Sequence, residues 1–249
     1  MPHLFIFLLF TILSLPAIAG SQDTSPSARA IIEEIEQLYR GDSSRSSITM
    51  IVKTPQYERN LKMTGESLGT EYAYFRILSP NKDRGIATLK RERQMWNFFP
   101  RINKVIKVPP SMMMGSWMGS DFTNDDIIRQ TELVDAYNLT MEETDQHYEI
   151  TLMPKEDTIT VWGQIIYVID KTMMLPVSES FYDDRGEKVR QMEFSDPRMF
   201  DGKLLPSVLE MKNLHKAGHS TLIVYDEMIF NPSDITENGF SLRRLKSRN

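Results

Sequence analysis

Between residues 47 and 230 the chain breaks into short runs that alternate apolar and polar residues, with turn signals recurring between them. Residues 47–53 alternate through Ile48, Met50 and Val52, and residues 58–68 through Arg59, Leu61, Met63 and Gly65. Residues 71–78 carry Tyr72, Tyr74, Phe75 and Ile77. The same pattern continues over 85–90, 93–99, 101–108, 132–137, 147–153, 162–170, 176–182, 188–194, 204–212 and 220–230. A period of two marks half-buried strands, because successive side chains leave a strand on opposite faces. The breaks carry turn chemistry: Asn138, Lys155-Glu156-Asp157, Asp183-Asp184-Arg185-Gly186, Asp201-Gly202 and Ala217-Gly218. Consecutive strands at hairpin spacing form an antiparallel meander, and a long meander curls toward a barrel or half-barrel. Strands and helices do not alternate, which excludes a doubly wound fold.

One stretch departs from this pattern. Pro109-Pro110 is followed by Met112, Met113, Met114, Trp117 and Met118, spaced by small residues, and then by Gly119-Ser120-Asp121-Phe122. The prolines and the Gly/Ser punctuation forbid a long helix or a central strand, so a heavy apolar load falls on a loop. Unbranched Met side chains repack easily, which suits a cover over an apolar cavity. Tyr74, Trp96 and Phe98 occupy strand positions from which they could line such a cavity, and Met112, Met113, Met114, Trp117, Met118 and Phe122 could close it. Helices are expected at 25–40, capped by Ser25 or Ser27, at 123–130, with Asp125 and Asp126 in its first turn, and at 234–245, docked by Phe240, Leu242 and Leu245.

The first residues read as an export signal. Residues 4–15 are almost wholly apolar and lead through Pro16 to Ala17-Ile18-Ala19, a small-x-small cleavage pattern. Cleavage after about Ala19 leaves a single domain over 20–249 in the periplasm. The chain has no Cys, so stability must come from a core rather than from disulfides. The net charge of -5 argues against a nucleic-acid partner.

No catalytic constellation stands out. His215 and His219 have a helical metal spacing, but they flank Lys216-Ala217-Gly218, which reads as a hairpin tip. The acidic pairs Asp125-Asp126, Glu142-Glu143 and Asp183-Asp184 fit a helix start, a loop and a turn. Lys90-Arg91-Glu92-Arg93 reads as a solvated hairpin tip and the basic C-terminus as a solvated tail. No enzyme, metal or cofactor is expected.

Phe98-Phe99-Pro100-Arg101, followed by Met118-Gly119-Ser120-Asp121-Phe122 and an acidic helix start, resembles the outer membrane lipoprotein-sorting protein family, relatives of the carrier LolA and its receptor LolB. The resemblance spans residues 31–245 in order and spacing of elements. It implies a mainly β, unclosed antiparallel barrel with an N-terminal helix and short covering helices. It further implies a monomeric, non-enzymatic periplasmic carrier that holds acyl chains of lipoproteins or lipids and moves them between envelope membranes. Members of this branch are associated with membrane transporters of the resistance-nodulation-division type, so the alternative is an interaction module that docks to such a transporter through the Met-rich loop.

Overall fold

The computed structural model describes residues 26–129 and 133–247; the expected signal segment lies outside them. The chain opens with helix α1 (Ala28–Gln37), whose N-cap Ser27 accepts a hydrogen bond from the Ala30 N–H at 3.2 Å. Six strands follow: β1 (Ser43–Lys53), β2 (Glu58–Leu68), β3 (Tyr72–Ser79), β4 (Ala87–Arg91), β5 (Gln94–Phe99) and β6 (Lys104–Lys107). Helices α2 (Asn124–Arg129) and α3 (Leu133–Ala136) lead to β7 (Tyr137–Glu143), β8 (His147–Pro154), β9 (Gln164–Asp170) and β10 (Leu175–Tyr182). Then come β11 (Lys188–Phe200), β12 (Lys203–Asn213), β13 (Ser220–Phe230) and a final helix α4 (Leu242–Lys246).

The 13 strands among the described residues form one antiparallel sheet in the order β6-β5-β4-β3-β2-β1-β13-β12-β11-β10-β9-β8-β7. Two meanders, β1–β6 and β7–β13, are joined side by side where β1 pairs with β13. The edges β6 and β7 do not pair, so the sheet is an unclosed half-barrel. Bulges between Ser47 and Ile48, Lys62 and Met63, and Phe181 and Tyr182 add local twist and help it curl. Each edge carries charge that discourages pairing with another chain: Lys104 and Lys107 on β6, Glu142 and Glu143 on β7.

The two faces of the sheet have separate cores. The inner face buries Met50, Leu61, Ile77, Met95, Ile150 and Ile169 together with Ile31 and Ile32 of α1. The outer face over β3–β5 buries Tyr74, Ala87, Leu89 and Phe98 against Phe240 and Leu245 from the C-terminal segment. Arg76 holds α4 there, donating from Nη2 to the carbonyls of Arg244 and Leu245, both at 3.1 Å, which satisfies carbonyls that a helix end leaves open.

Several elements differ from the sequence reading. Residues 133–136, expected as a strand, are α3, and the strand runs on from Tyr137 through Asn138, read as a turn, to Glu143. The pattern L-V-D-A is too short to separate a helical turn from a strand. Strand β11 continues to Phe200 through Pro197. Pro197 and Pro206 face each other across β11 and β12, so neither strand asks the other for a missing N–H at that position. The C-terminal helix is only Leu242–Lys246, preceded by a 3-10 turn at Glu237–Gly239, and Leu242 stays exposed while Phe240 and Leu245 are buried. The basic tail is tied down: Arg244 pairs with Glu66 at 2.5 Å.

Candidate functional site

The chain between β6 and β7 must pass from one edge of the sheet to the other. It crosses the inner face, because that is where α2, Trp117 and Phe122 join the main core. The described part of this crossing is residues 108–129 and 133–136, and it contains the Met-rich stretch that the sequence reading singled out.

Its construction is local. Val108 is pinned to β5 through its N–H to the Met95 carbonyl at 2.9 Å. Pro110 opens a 3-10 turn, Pro110–Met112. That turn is stitched to the start of α2: Asn124 Nδ2 donates to the Met112 carbonyl at 3.0 Å, and the Asp125 N–H to the Met113 carbonyl at 2.8 Å. Between them the chain folds back on itself. The Trp117 N–H donates to the Phe122 carbonyl at 2.8 Å, and Ser120 Oγ donates to the Trp117 carbonyl at 2.7 Å. Met118 and Gly119 both take positive φ, 51° and 78°, to make this reversal. Gly119 also lets the Arg59 guanidinium approach, since a Cβ there would stand 3.2 Å from it.

Polar contacts fasten the reversal to the sheet. Arg59 Nη1 donates to the Met118 carbonyl at 2.9 Å, while its Nη2 pairs with Asp83 Oδ1 at 3.0 Å. Thr221 Oγ1 on β13 accepts from the Asp121 N–H at 2.9 Å and donates to Asp121 Oδ2 at 2.8 Å. Trp117 points inward, 3 % exposed, with its Nε1 donating to Thr88 Oγ1 at 3.1 Å and its ring edge-on to Phe75, 5.1 Å between centroids. Phe75 can lie over β2 because residue 65 is glycine, where a Cβ would come 3.1 Å from the Phe75 ring and 2.7 Å from Ser46 Oγ.

Helix α2 is fastened at both ends by cations rising from opposite halves of the sheet. Thr123 and Asp126 form a reciprocal cap, Thr123 N–H to Asp126 Oδ2 at 2.7 Å and Asp126 N–H to Thr123 Oγ1 at 3.1 Å. The same carboxylate receives Arg190 from β11 in a two-pronged pair, both contacts at 3.0 Å. At the other end Lys90 Nζ donates to the Ile128 carbonyl at 2.7 Å, a favourable place for a cation beside the helix C-terminus. Lys90, expected on a solvated tip, is buried. Arg190 lies over the rings of Phe181, 4.5 Å from its centroid, and Trp162, 5.0 Å.

Next to Arg190, Glu179 is buried on β10 and accepts from the Tyr167 hydroxyl. Burial pushes the Glu179 carboxyl up to about 7, against the pull of Tyr167 and of the Arg190 charge, with Asp126 adding to the rise. Glu36 of α1 also rises to about 7, again through burial, although the Leu133 N–H donates to it at 2.8 Å. Among the described residues, no group of three or more His, Cys, Asp or Glu is placed to hold a metal ion.

The residues singled out from sequence therefore divide. Trp117 and Phe122 are buried on the inner face, and Met113 and Met118 pack against the same core. Met112 and Met114 point outward, 59 % and 42 % exposed. Tyr74, Trp96 and Phe98 belong to the outer cluster under α4 and do not meet the cover. On strands with residues on both apolar faces, period two identifies a shared face but not which face is inner. Two surface hollows, about 150 Å³ beside Glu66 and Arg244 and about 390 Å³ beside Arg40 and Tyr72, lie away from the cover. Sequence reasoning missed Thr88, Lys90, Glu179 and Arg190. A signal was present for the last two: Glu179 and Arg190 stand in phase with the inward Phe181 and Met192.

A family model whose description reads "Uncharacterized protein" matches residues 69–247. No curated protein matches the chain by sequence. Among solved structures, the chain is similar to a domain assigned to outer membrane lipoprotein sorting from Vibrio parahaemolyticus, with 20% identity, 88% of this chain and 98% of that one covered, and a TM-score of 0.75. It is similar to a DUF1329 family protein from Desulfovibrio piger at 20% identity, covering 87% and 97%, TM-score 0.76. It is also similar to a LolA superfamily protein from Nitrosomonas europaea at 19% identity, covering 88% and 100%, TM-score 0.72.

Proposed function

The chain belongs to the family matched over residues 69–247 and has the fold of LolA superfamily and lipoprotein-sorting proteins, and from that premise we propose that it is a periplasmic carrier of acyl chains, borne by lipoproteins or by free lipids. The observation that carries this reading is the way the inner face is covered. A floor that is mainly apolar, interrupted by buried Lys90, Glu179 and Arg190, lies under a crossing segment that is fastened by separable polar contacts: Arg59 to Met118, Thr221 to Asp121, Lys90 to Ile128 and Arg190 to Asp126. Trp117 and Phe122 fill the space that an acyl chain would take. Each methylene moved from water to that floor contributes about 0.8 kcal/mol, so a long chain can outweigh the contacts that it displaces. The matching of apolar surfaces exchanges one cover for another, which makes uptake and release reversible.

The absence of Cys permits a direct test. In Asp121→Cys/Thr221→Cys, an oxidised bridge fastens the reversal to β13. Uptake of a pyrene-labelled acyl chain is expected to fall at least about tenfold on oxidation and to recover on reduction, since a closed cover leaves the floor inaccessible. Equal uptake by the two forms would refute the carrier reading.

A second reading rests on Met112 and Met114, which leave large apolar side chains in solvent, as do Ile102 and Ile106 earlier in the chain. Here this rim docks on an envelope partner, such as a transporter of the resistance-nodulation-division type, because exposed apolar patches mark interaction sites. A photo-crosslinker at position 114 that yields a membrane-protein adduct, in a protein that takes up no acyl chain, would favour it.

A further inference from the structure

A buried Arg–Asp pair is an expensive way to hold a lid, because the desolvation of both charges offsets most of their attraction and an apolar contact of the same volume would serve as well. Yet Arg190 is placed in the floor with its side chain 5 % exposed, flanked by the Phe181 and Trp162 rings, and it meets Asp126 from the lid through both terminal nitrogens at 3.0 Å. Its Nε is buried and has no hydrogen-bond partner among the described residues. A guanidinium with one edge in use and a further donor idle is not fully matched by the single carboxylate above it.

The two partners of this pair depend on it unequally. When α2 lifts, Asp126 keeps its bond from the Thr123 N–H and gains water. Arg190 stays behind on the floor with only the Glu179 carboxyl near it, and a buried cation that has lost its hydrogen-bonded partner is disfavoured. Glu179 on the neighbouring strand lends Arg190 a nearby counter-charge, but both Arg190 terminal nitrogens donate to Asp126.

We propose that Arg190 is the headgroup seat for an anionic amphiphile, and that Asp126 fills this seat in the closed protein as an internal stand-in for the ligand's oxyanion. The ligand class is an acyl chain ending in a carboxylate or carrying a phosphate. Its chain lies along the inner face under α2, and its two oxygens take the fork that Asp126 vacates. Phe181, Trp162 and Met192 line the start of that path. An acylated polypeptide whose lipid has no acidic group would make no use of this seat, so the inference narrows the cargo. It rests on the carrier reading.

The test compares oleate with oleyl alcohol, which share a chain and differ in headgroup charge, on the mature protein. Wild type is expected to favour oleate by at least about tenfold, the worth of a charge-assisted hydrogen-bonded pair. Arg190→Gln is expected to lose that preference. Asp126→Asn, which removes the internal competitor, is expected to raise the preference above that of wild type. This opposite sign decides the matter even if Arg190→Gln folds poorly. Dioleoyl phosphatidate in place of oleate separates the sources: tighter binding of the phosphate assigns the seat to a phospholipid, tighter binding of oleate to a free fatty acid, and both support it. If wild type binds oleate and oleyl alcohol equally, or if Asp126→Asn leaves the ratio unchanged, the seat is refuted while the carrier stands. If no chain of any kind binds, the carrier reading fails and the seat with it.

Discussion

Replacing Glu179 with glutamine should flatten the pH dependence of folding stability between pH 5 and pH 8. The native carboxyl sits at about 7, while its ordinary value, taken for the unfolded chain, is 4.5. The native state therefore holds this proton more tightly than the unfolded state does. Stability from this group is complete below about pH 4.5 and is lost as the pH rises to about 7, where the native carboxyl finally ionises. The total is on the order of 3 kcal/mol, and about 2.5 kcal/mol of it falls between pH 5 and pH 8. For a domain of this size that loss lowers the melting temperature by about 5–10 °C. Glutamine keeps an acceptor for the Tyr167 hydroxyl and cannot ionise, so the variant should be less pH-sensitive by that amount and more stable than wild type at pH 8. Glu36, also raised to about 7, adds a slope of the same sign to both proteins and cancels in the comparison. Urea unfolding followed by tryptophan fluorescence at pH 5, 6, 7 and 8 measures it. Parallel pH profiles for wild type and Glu179→Gln would refute the description of a buried, near-neutral carboxyl on the inner face.

Thr221→Val preserves shape but deletes both hydrogen bonds to Asp121. About 1–2 kcal/mol of local stability should go with them, read as hydrogen exchange about tenfold faster at residues 120–122 with the amides of β1 and β13 unchanged; unaltered exchange there would show that Thr221 does not hold the cover. Leu245→Ala should cost about 3 kcal/mol in urea unfolding, because the side chain is fully buried on the outer face and leaves a cavity; a cost under about 1 kcal/mol would mean that the C-terminal segment contributes little to the folded unit.

The strand content and its antiparallel order were legible because alternation is a local signal, and the turn residues between the runs are local too. The bounds of β2 and β13 match the alternating runs. The apolar loop was legible for the complementary reason: Pro109-Pro110 and Gly119 exclude a long helix or a central strand, while which of its apolar residues turn inward was not, since Trp117 and Phe122 are buried and Met112 and Met114 exposed. The short elements were not legible. Four residues, Leu133–Ala136, do not contain enough of either period to decide between helix and strand, and α1 supplied the deciding contacts: the Glu36 carboxylate takes the Leu133 N–H and Arg29 Nη1 donates to the Val134 carbonyl at 3.1 Å.

By itself, then, the sequence determined a Cys-free meander with one apolar loop and a C-terminal segment expected to dock through Phe240, Leu242 and Leu245, of which Phe240 and Leu245 are buried and Leu242 is not. Which face each apolar row served was decided only by the tertiary structure. Tyr74, Trp96 and Phe98 obey the same alternation as Phe75 and Met95, one residue out of step, and only the closure of β1 on β13 and the docking of α4 settle which row faces the lid. The polar contacts that fasten the cover were equally beyond local reading. Asp126 and Arg190 are 64 residues apart, as are no two positions that a periodicity can relate, and they meet because the crossing between the two edge strands lays α2 over the middle of the sheet.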